Sequence, residues 1–445
     1  MKLLKSWKNN FVLLLILFLF LFTRLYKINS IPASVYWDEA SIGYNAYAIS
    51  TDLKDEWGEF LPLHIRAFGE FKLPIYIYSV AVLTKLFGIN EFTLRIPAVL
   101  YSLGTIIALY FLVARITKSK KIGLISSFIL IVSPWLFIFS RTGYEATAGL
   151  FFFLSFICFL IFHKDRKFYI FLSIVCAILA FYSYNSFRII IPIFLTVWFL
   201  KVNKKSLFTF VALGIFLVGL IPAIKLYYFD QGAVRLTTIR IKEPKTFIKN
   251  YFSHFSYNFL FKSGDINNRS QMPGWGEIYL INLPFLLIGI WKIFKSKFNF
   301  KWSILLLLII APIPASITLE SPHALRAIVM APVLAFVSAI GLNSLKRIWL
   351  IVTIFIYLIF FGFYFHDFVT NYNLKTSNDW QYEYKEIFLT TKEGIVTDKY
   401  AQPYIFALYY LKYPPAEFRR TVKYNPPDKW GFSTVESFGQ FKFIK

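Results

Sequence analysis

An acidic pair stands behind an aromatic residue in Tyr36-Trp37-Asp38-Glu39-Ala40, and Phe68-Gly69-Glu70-Phe71-Lys72-Leu73-Pro74 sets a carboxylate close to an ammonium. The aromatic would sit at headgroup level, with the acidic pair beside it. The first pair equally suits a helix start, with Asp38 or Ser34 accepting free amide protons and Glu39 favoured by the helix dipole. The second reads as well as a solvated ion pair worth little. Three arginines end apolar runs: Arg141 in Ser140-Arg141-Thr142-Gly143, Arg188 in Tyr184-Asn185-Ser186-Phe187-Arg188, and Arg326 in His323-Ala324-Leu325-Arg326. A charge deep in hydrocarbon costs at least ~2.5 kcal/mol, so each either snorkels outward or faces a polar cavity. Three on one face, with His323 beside one of them, suit a site that holds an anionic phosphate at the bilayer surface. The turn-rich segment from Gly264-Asp265-Ile266-Asn267 to Trp275 suits acceptor binding or plain connection. The sequence carries no Gly-rich phosphate loop after a strand, no Cys/His metal cluster and no recognisable Ser/His/Asp signature, so nucleotide-sugar or ATP chemistry in a soluble domain is unsupported.

What positions these residues is a membrane. Of 445 residues, 57% are hydrophobic, 20% aromatic and only 16% charged, which is too apolar for a water-soluble chain of that length. The formal charge of +24 falls in short clusters between apolar runs instead of one stripe, which speaks for topology and against nucleic acid as a partner. Cys158 and Cys176 lie inside apolar runs and offer neither a disulfide framework nor metal-ligand spacing.

A span needs about 17 to 25 mostly apolar residues. Eleven runs qualify, the sixth being short: 10–27, 95–114, 122–139, 146–162, 168–184, 187–200, 206–228, 277–294, 302–318, 324–343 and 348–365. With this count the basic clusters Lys2/Lys5/Lys8, Arg115/Lys118/Lys120/Lys121, Lys164/Arg166/Lys167, Lys201/Lys204/Lys205, Lys292/Lys295/Lys297/Lys301 and Lys346/Arg347 all fall on one side, as the positive-inside rule requires. The N-terminus is then cytoplasmic, the first helix is uncleaved for want of a small-residue site, and the C-terminus is extracytoplasmic. The apolar stretch Leu73 to Gly88 would invert every later loop if it crossed, so it is expected along the membrane surface. The domain reading is a transmembrane region 1–365, with an outer loop 28–94 bearing juxtamembrane helices near Asp38 and Pro74 and a large outer loop 229–276. A small extracytoplasmic region 366–445 follows. In that tail Gly394 to Asp398 reads as a short strand and Tyr404 to Tyr410 as a helix or second strand.

The order Trp37-Asp38-Glu39-Ala40, Gly69-Glu70-Phe71-Lys72-Leu73-Pro74-Ile75-Tyr76 and Phe87-Gly88-Ile89-Asn90-Glu91-Phe92-Thr93-Leu94-Arg95-Ile96-Pro97-Ala98 resembles the amino-terminal core of the dolichyl-phosphate-mannose protein mannosyltransferase superfamily and its bacterial aminoarabinose-transferase relatives. The likeness continues through Ser140-Arg141, Tyr182 to Arg188, Gly264 to Gly274 and His323 to Arg326, to about residue 345. It implies a GT-C fold, and with the eleven runs and the composition of the tail the expectation is an all-α polytopic membrane protein of about eleven transmembrane helices with a small extracytoplasmic C-terminal α/β appendage. It also implies inverting sugar transfer from a polyprenyl-phosphate donor outside the cytoplasm. Carried over residue by residue, Asp38 becomes the base toward the acceptor hydroxyl with Glu39 beside it. Lys72, Arg141, Arg188, Arg326 and His323 become the groups facing the donor phosphate, and Glu70, Tyr184 and Asp265 those that orient the acceptor or basic partners. No cofactor is required, although Asp38, Glu39 and Glu70 could together ligate a divalent cation. Two departures touch these roles: the Lys-Pro-Pro of many relatives is Lys72-Leu73-Pro74 here, and the acidic residue often adjacent to that lysine is displaced to Glu70. The sugar and the acceptor, whether protein, lipid or glycan, are not legible. A transporter, flippase or non-catalytic binder of lipid-linked sugars would use the same arginines, but would more naturally show paired broken helices in two halves, and no such repeat is present.

Overall fold

The computed structural model describes residues 2–68, 70–163, 166–201, 207–229, 234–296, 301–427 and 432–444. The chain is mostly helical. In order it forms α1 (Lys2–Leu25), α2 (Trp37–Asp52), the strands β1 (Ile65–Ala67) and β2 (Glu70–Lys72), α3 (Pro74–Phe87), α4 (Glu91–Thr117), α5 (Lys120–Val132), α6 (Pro134–Phe139), α7 (Ala146–Phe162), α8 (Tyr169–Phe181) and α9 (Phe187–Lys201). Next come α10 (Leu207–Gly219), α11 (Ile221–Phe229), α12 (Val234–Ile239), α13 (Pro244–Ser253), α14 (Asn282–Lys295), α15 (Lys301–Ile310), α16 (Ile313–Ser316), α17 (Met330–Leu342) and α18 (Arg347–Thr376). The chain ends with α19 (Tyr382–Thr390), β3 (Gly394–Thr397), α20 (Pro403–Tyr410), α21 (Pro415–Thr421), β4 (Lys423–Tyr424), β5 (Val435–Phe438) and β6 (Phe441–Ile444).

Proline explains where apolar runs break. The run 122–139 divides at Pro134, 206–228 bends before Pro222, and 302–318 divides at Pro312, because each proline removes a helical amide donor and crowds the preceding turn. Asn90 and Thr93 start α4 with a reciprocal capping box, and Pro74 opens α3 at its first position. Helices Glu91–Thr117 and Arg347–Thr376 and the bent stretch Leu207–Tyr228 are long and apolar enough to cross a membrane, and several shorter apolar helices accompany them. The last run does not end near residue 365: α18 continues to Thr376, carried by Phe368 and Tyr372, which stay on its buried face.

Helices α4, α5, α7, α14 and α17 pack into the main core. Where α14 meets α17 the backbones nearly touch: a Cβ on Gly289 would lie 2.0 Å from the Val337 carbonyl, and one on Gly341 2.1 Å from that of Phe285. A second core is built from α2, α3 and the C-terminal region, with Tyr44, Tyr76, Tyr404, Tyr409, Phe418 and Phe438 at its centre. There a four-stranded sheet in the order β3-β6-β5-β4 pairs β3 parallel to β6 and the other strands antiparallel. Of the segments read from sequence, Gly69, Lys164, Lys204, Lys205 and Lys297 lie outside the described residues.

Candidate active site

Helix α2 begins where the backbone at Tyr36 is extended, and Asp38 and Glu39 occupy its first turn. Their side chains part company. Asp38 lines a cavity of about 340 Å³, where its Oδ1 accepts a 2.5 Å bond from Lys72 Nζ and its Oδ2 a 3.1 Å bond from the Trp37 indole. Lys72 closes the β1–β2 hairpin, opposite Ile65, and is buried. Glu70, two residues back on β2, lies 3.4 Å from the same ammonium. Burial works against a charged lysine, but the carboxylates of Asp38, Glu70 and Glu145 outweigh it and hold Lys72 well above its ordinary range.

Glu39 is fully buried and faces away from the cavity. It lies 3.3 Å from Arg95 of α4 and accepts a 2.6 Å bond from the Gly143 amide. Arg95 also donates to the carbonyls of Ile28 and Ser34. Glu39 therefore locks α2 to α4 and to the turn before α7. A side chain at Gly143 would press on it, since an added Cβ would lie 3.2 Å from Glu39 Oε1. Asp38, Glu39 and Glu70 consequently do not converge as a cation cage, and no cluster of three or more His, Cys, Asp or Glu side chains suited to a metal occurs among the described residues.

The arginines divide as well. Arg188 lines the cavity, donating to the Tyr227 hydroxyl at 2.7 Å and standing 3.2 Å from His64 Nε2. Arg326 lines it too, donating to Thr318 at 2.8 Å with Glu320 at 3.5 Å. His323 and Tyr184 share the wall. Arg141 does not reach it. Its guanidinium is buried and both terminal amino groups donate to carbonyls, at 2.5 Å to Thr23, 2.8 Å to Arg24 and 2.7 Å to Tyr26, so it ties the end of α1 to the turn after α6, and it does not line the cavity. Asp265 also stays behind the wall. It accepts from the Ala324 amide at 2.7 Å and lies 3.3 Å from His323 Nδ1, where it can steer the imidazole. Burial opposes its charge, but His323 holds its carboxyl below the usual range.

Two cavity residues escape a reading by motif. Glu145, immediately before α7, is pushed up to about 7 by burial, against the pull of Lys72 and with help from Asp38 and Glu70. Its signal in sequence was a carboxylate at the start of an apolar run. Arg269 lies across Tyr36 and Trp37 at 5.0 and 5.7 Å from their ring centres. Its signal was a lone cation inside the polar turn 264–275.

Helices of spanning length, with several shorter apolar helices beside them, mark a multi-pass membrane protein. Residues 72–228 match the family of dolichyl-phosphate-mannose-protein mannosyltransferases. No curated protein sequence matches the chain. Among solved structures, ArnT from Cupriavidus metallidurans in the apo state is similar, at 13% identity and a TM-score of 0.56 over 92% of this chain and 85% of that one. ArnT bound to undecaprenyl phosphate gives 14% and 0.55 over the same shares. The oligosaccharyltransferase of Archaeoglobus fulgidus gives 12% and 0.53, over 92% of this chain and 64% of that one. At these identities the likeness is one of fold.

Proposed function

We propose that the chain transfers a sugar from a polyprenyl-phosphate donor to an acceptor hydroxyl, with inversion, on the extracytoplasmic face of the membrane. The observation that carries this is the Lys72–Asp38 pair on the wall of a cavity that also holds Arg188 and Arg326. In the reaction the acceptor oxygen bonds to the anomeric carbon, its proton passes to Asp38, and the bond from that carbon to the phosphate oxygen breaks. The leaving polyprenyl phosphate carries the negative charge, which Arg188 and Arg326 meet with charge-assisted bonds and Lys72 with its ammonium. His323, steered by Asp265, and Tyr184 complete the wall. A cavity of about 340 Å³ suits a single hexosyl or pentosyl unit and its phosphate. Apolar Ile189, Leu226 and Ile317 continue the lining and suit the first part of a prenyl chain. A solved structure of similar fold is described as bound to undecaprenyl phosphate, which supports the donor class. This chemistry runs on side chains without a cofactor.

The accompanying topology has about eleven spans, a cytoplasmic N-terminus, and outer loops 28–94 and 229–276 above a transmembrane region 1–365. The region 366–445 stands on the extracytoplasmic side. The test is transfer of label from polyprenyl-phosphate sugars in membranes carrying wild type or Asp38→Asn at equal abundance. A loss of about 10²- to 10⁴-fold is expected for the variant. Equal transfer by both proteins would reject Asp38 as base, and failure of every donor with the wild type would favour a transporter.

A further inference from the structure

Three consecutive residues of the C-terminal region reach the cavity wall. Gln381 is buried and its side chain bridges two backbones: Oε1 accepts the Trp37 amide at 2.9 Å, and Nε2 donates to the Tyr400 carbonyl at 2.6 Å. Trp37 is the first residue of α2, and Tyr36 before it supplies no side-chain cap. A helix start leaves its first amides without partners, so Gln381 caps α2 from 344 positions away. Its backbone sits at φ 51°, a region few non-glycine residues occupy. Trp380, fully buried, sets its ring edge-on to Tyr36 at 5.4 Å and donates its indole N–H to Tyr372 at 3.0 Å. Asp379 holds the neighbouring loop: its carboxylate accepts from Asn268 and its carbonyl from Arg269, both at 3.2 Å.

The turn therefore grips two cavity-lining elements at once, the start of the helix that bears Asp38 and the loop that bears Arg269. Trp37 transmits the grip, because its amide is the capped group and its indole donates to Asp38 Oδ2. We propose that Gln381 is a positioning residue for Asp38, and that the C-terminal region sets the angle at which this carboxylate meets the acceptor. The inference rests on Asp38 as the proposed base. In the proposed reading the groups that hold the donor phosphate, Arg188 of α9, Arg326 and Lys72 of β2, lie on elements Gln381 does not touch, so a change at Gln381 is expected to alter turnover and spare donor affinity.

The experiment compares the full chain and Gln381→Met in nanodiscs by hydrogen exchange over residues 35–45, and by transfer from the radiolabelled undecaprenyl-phosphate sugar that the wild type uses. Removing the acceptor should speed exchange in the first turn of α2 and lower kcat about tenfold or more, with the donor KM within about twofold. Gln381→Glu keeps an acceptor for the Trp37 amide and should recover kcat to within about threefold of wild type. Should Gln381→Met fail to reach the membrane, Gln381→Asn takes its place, since it keeps the amide but withdraws it from Trp37. Unchanged exchange, unchanged kcat, a KM that rises in step with the fall in kcat, or a Gln381→Glu as slow as the methionine variant would each overturn the proposal. Wild-type transfer by Asp38→Asn would instead overturn the reading of the base, while the exchange result still reports on the cap.

Discussion

Two regions of the molecule use arginine in opposite ways. Around residues 23–34, Arg95 and Arg141 are enclosed and donate to backbone carbonyls of that segment, Arg95 pairing with Glu39 as well. On the cavity wall, Arg188 and Arg326 are held by hydroxyls of Tyr227 and Thr318, with His64 and Glu320 close by, and present their remaining surface to the space beside Asp38. The first region shows cations as rivets for irregular backbone, which must find donors when it is buried. The second shows cations kept available. The number of carbonyls around a guanidinium separates the two roles, and the residue type does not.

Substitution by methionine should sharpen that contrast. Arg141→Met leaves several buried carbonyls without donors, at about 1–3 kcal/mol each. It should lower thermal stability in detergent by about 3 kcal/mol or more, while activity per folded molecule stays near wild type. A variant that melts normally but binds donor weakly would return Arg141 to the phosphate site. Arg188→Met should do the reverse, raising the donor KM by about 10- to 100-fold, the equivalent of one or two charge-assisted bonds, with little change in melting. An unchanged KM would remove Arg188 from the site.

The smallest expected effect lies in pH. Glu145, pushed up to about 7, keeps its proton in the folded chain at pH values where the unfolded chain has released it. The folded state then binds more protons between about 4.3 and 7, and stability falls as pH rises through that window. Glu145→Gln should flatten this part of the melting-temperature profile between pH 4.5 and 8. A variant that follows the wild-type curve would mean that Glu145 carries no such linkage.

Much of this arrangement could be read from the chain. Hydrophobic runs placed most helices to within a few residues, and the bounds of the apolar stretch Leu73 to Gly88 match the helix Pro74–Phe87. The site was legible where a residue's neighbours in sequence are also its neighbours in space, as with Glu70 and Lys72 on one strand. It was not legible where a partner comes from far away. Nothing near Glu39 announces Arg95 or Gly143, so an adjacent acidic pair looked like two groups of one site when one of them serves as a brace. Arg141 looked like Arg188 because both end apolar runs, and the carbonyls that accept from Arg141 belong to residues 23–31. The strands β1 and β2 are three residues each, too short for an alternating pattern to register.

The bond from Gln381 to Trp37 also orders events in time. At synthesis rates of about 5–20 residues per second, the 344 positions between them take roughly 20–70 s to emerge. Throughout that interval α1 can already be in the membrane while the helix carrying Asp38 lacks its cap. If Gln381 positions Asp38 as proposed, a chain that stops short of it would hold the Trp37 amide uncapped and turn over about tenfold more slowly.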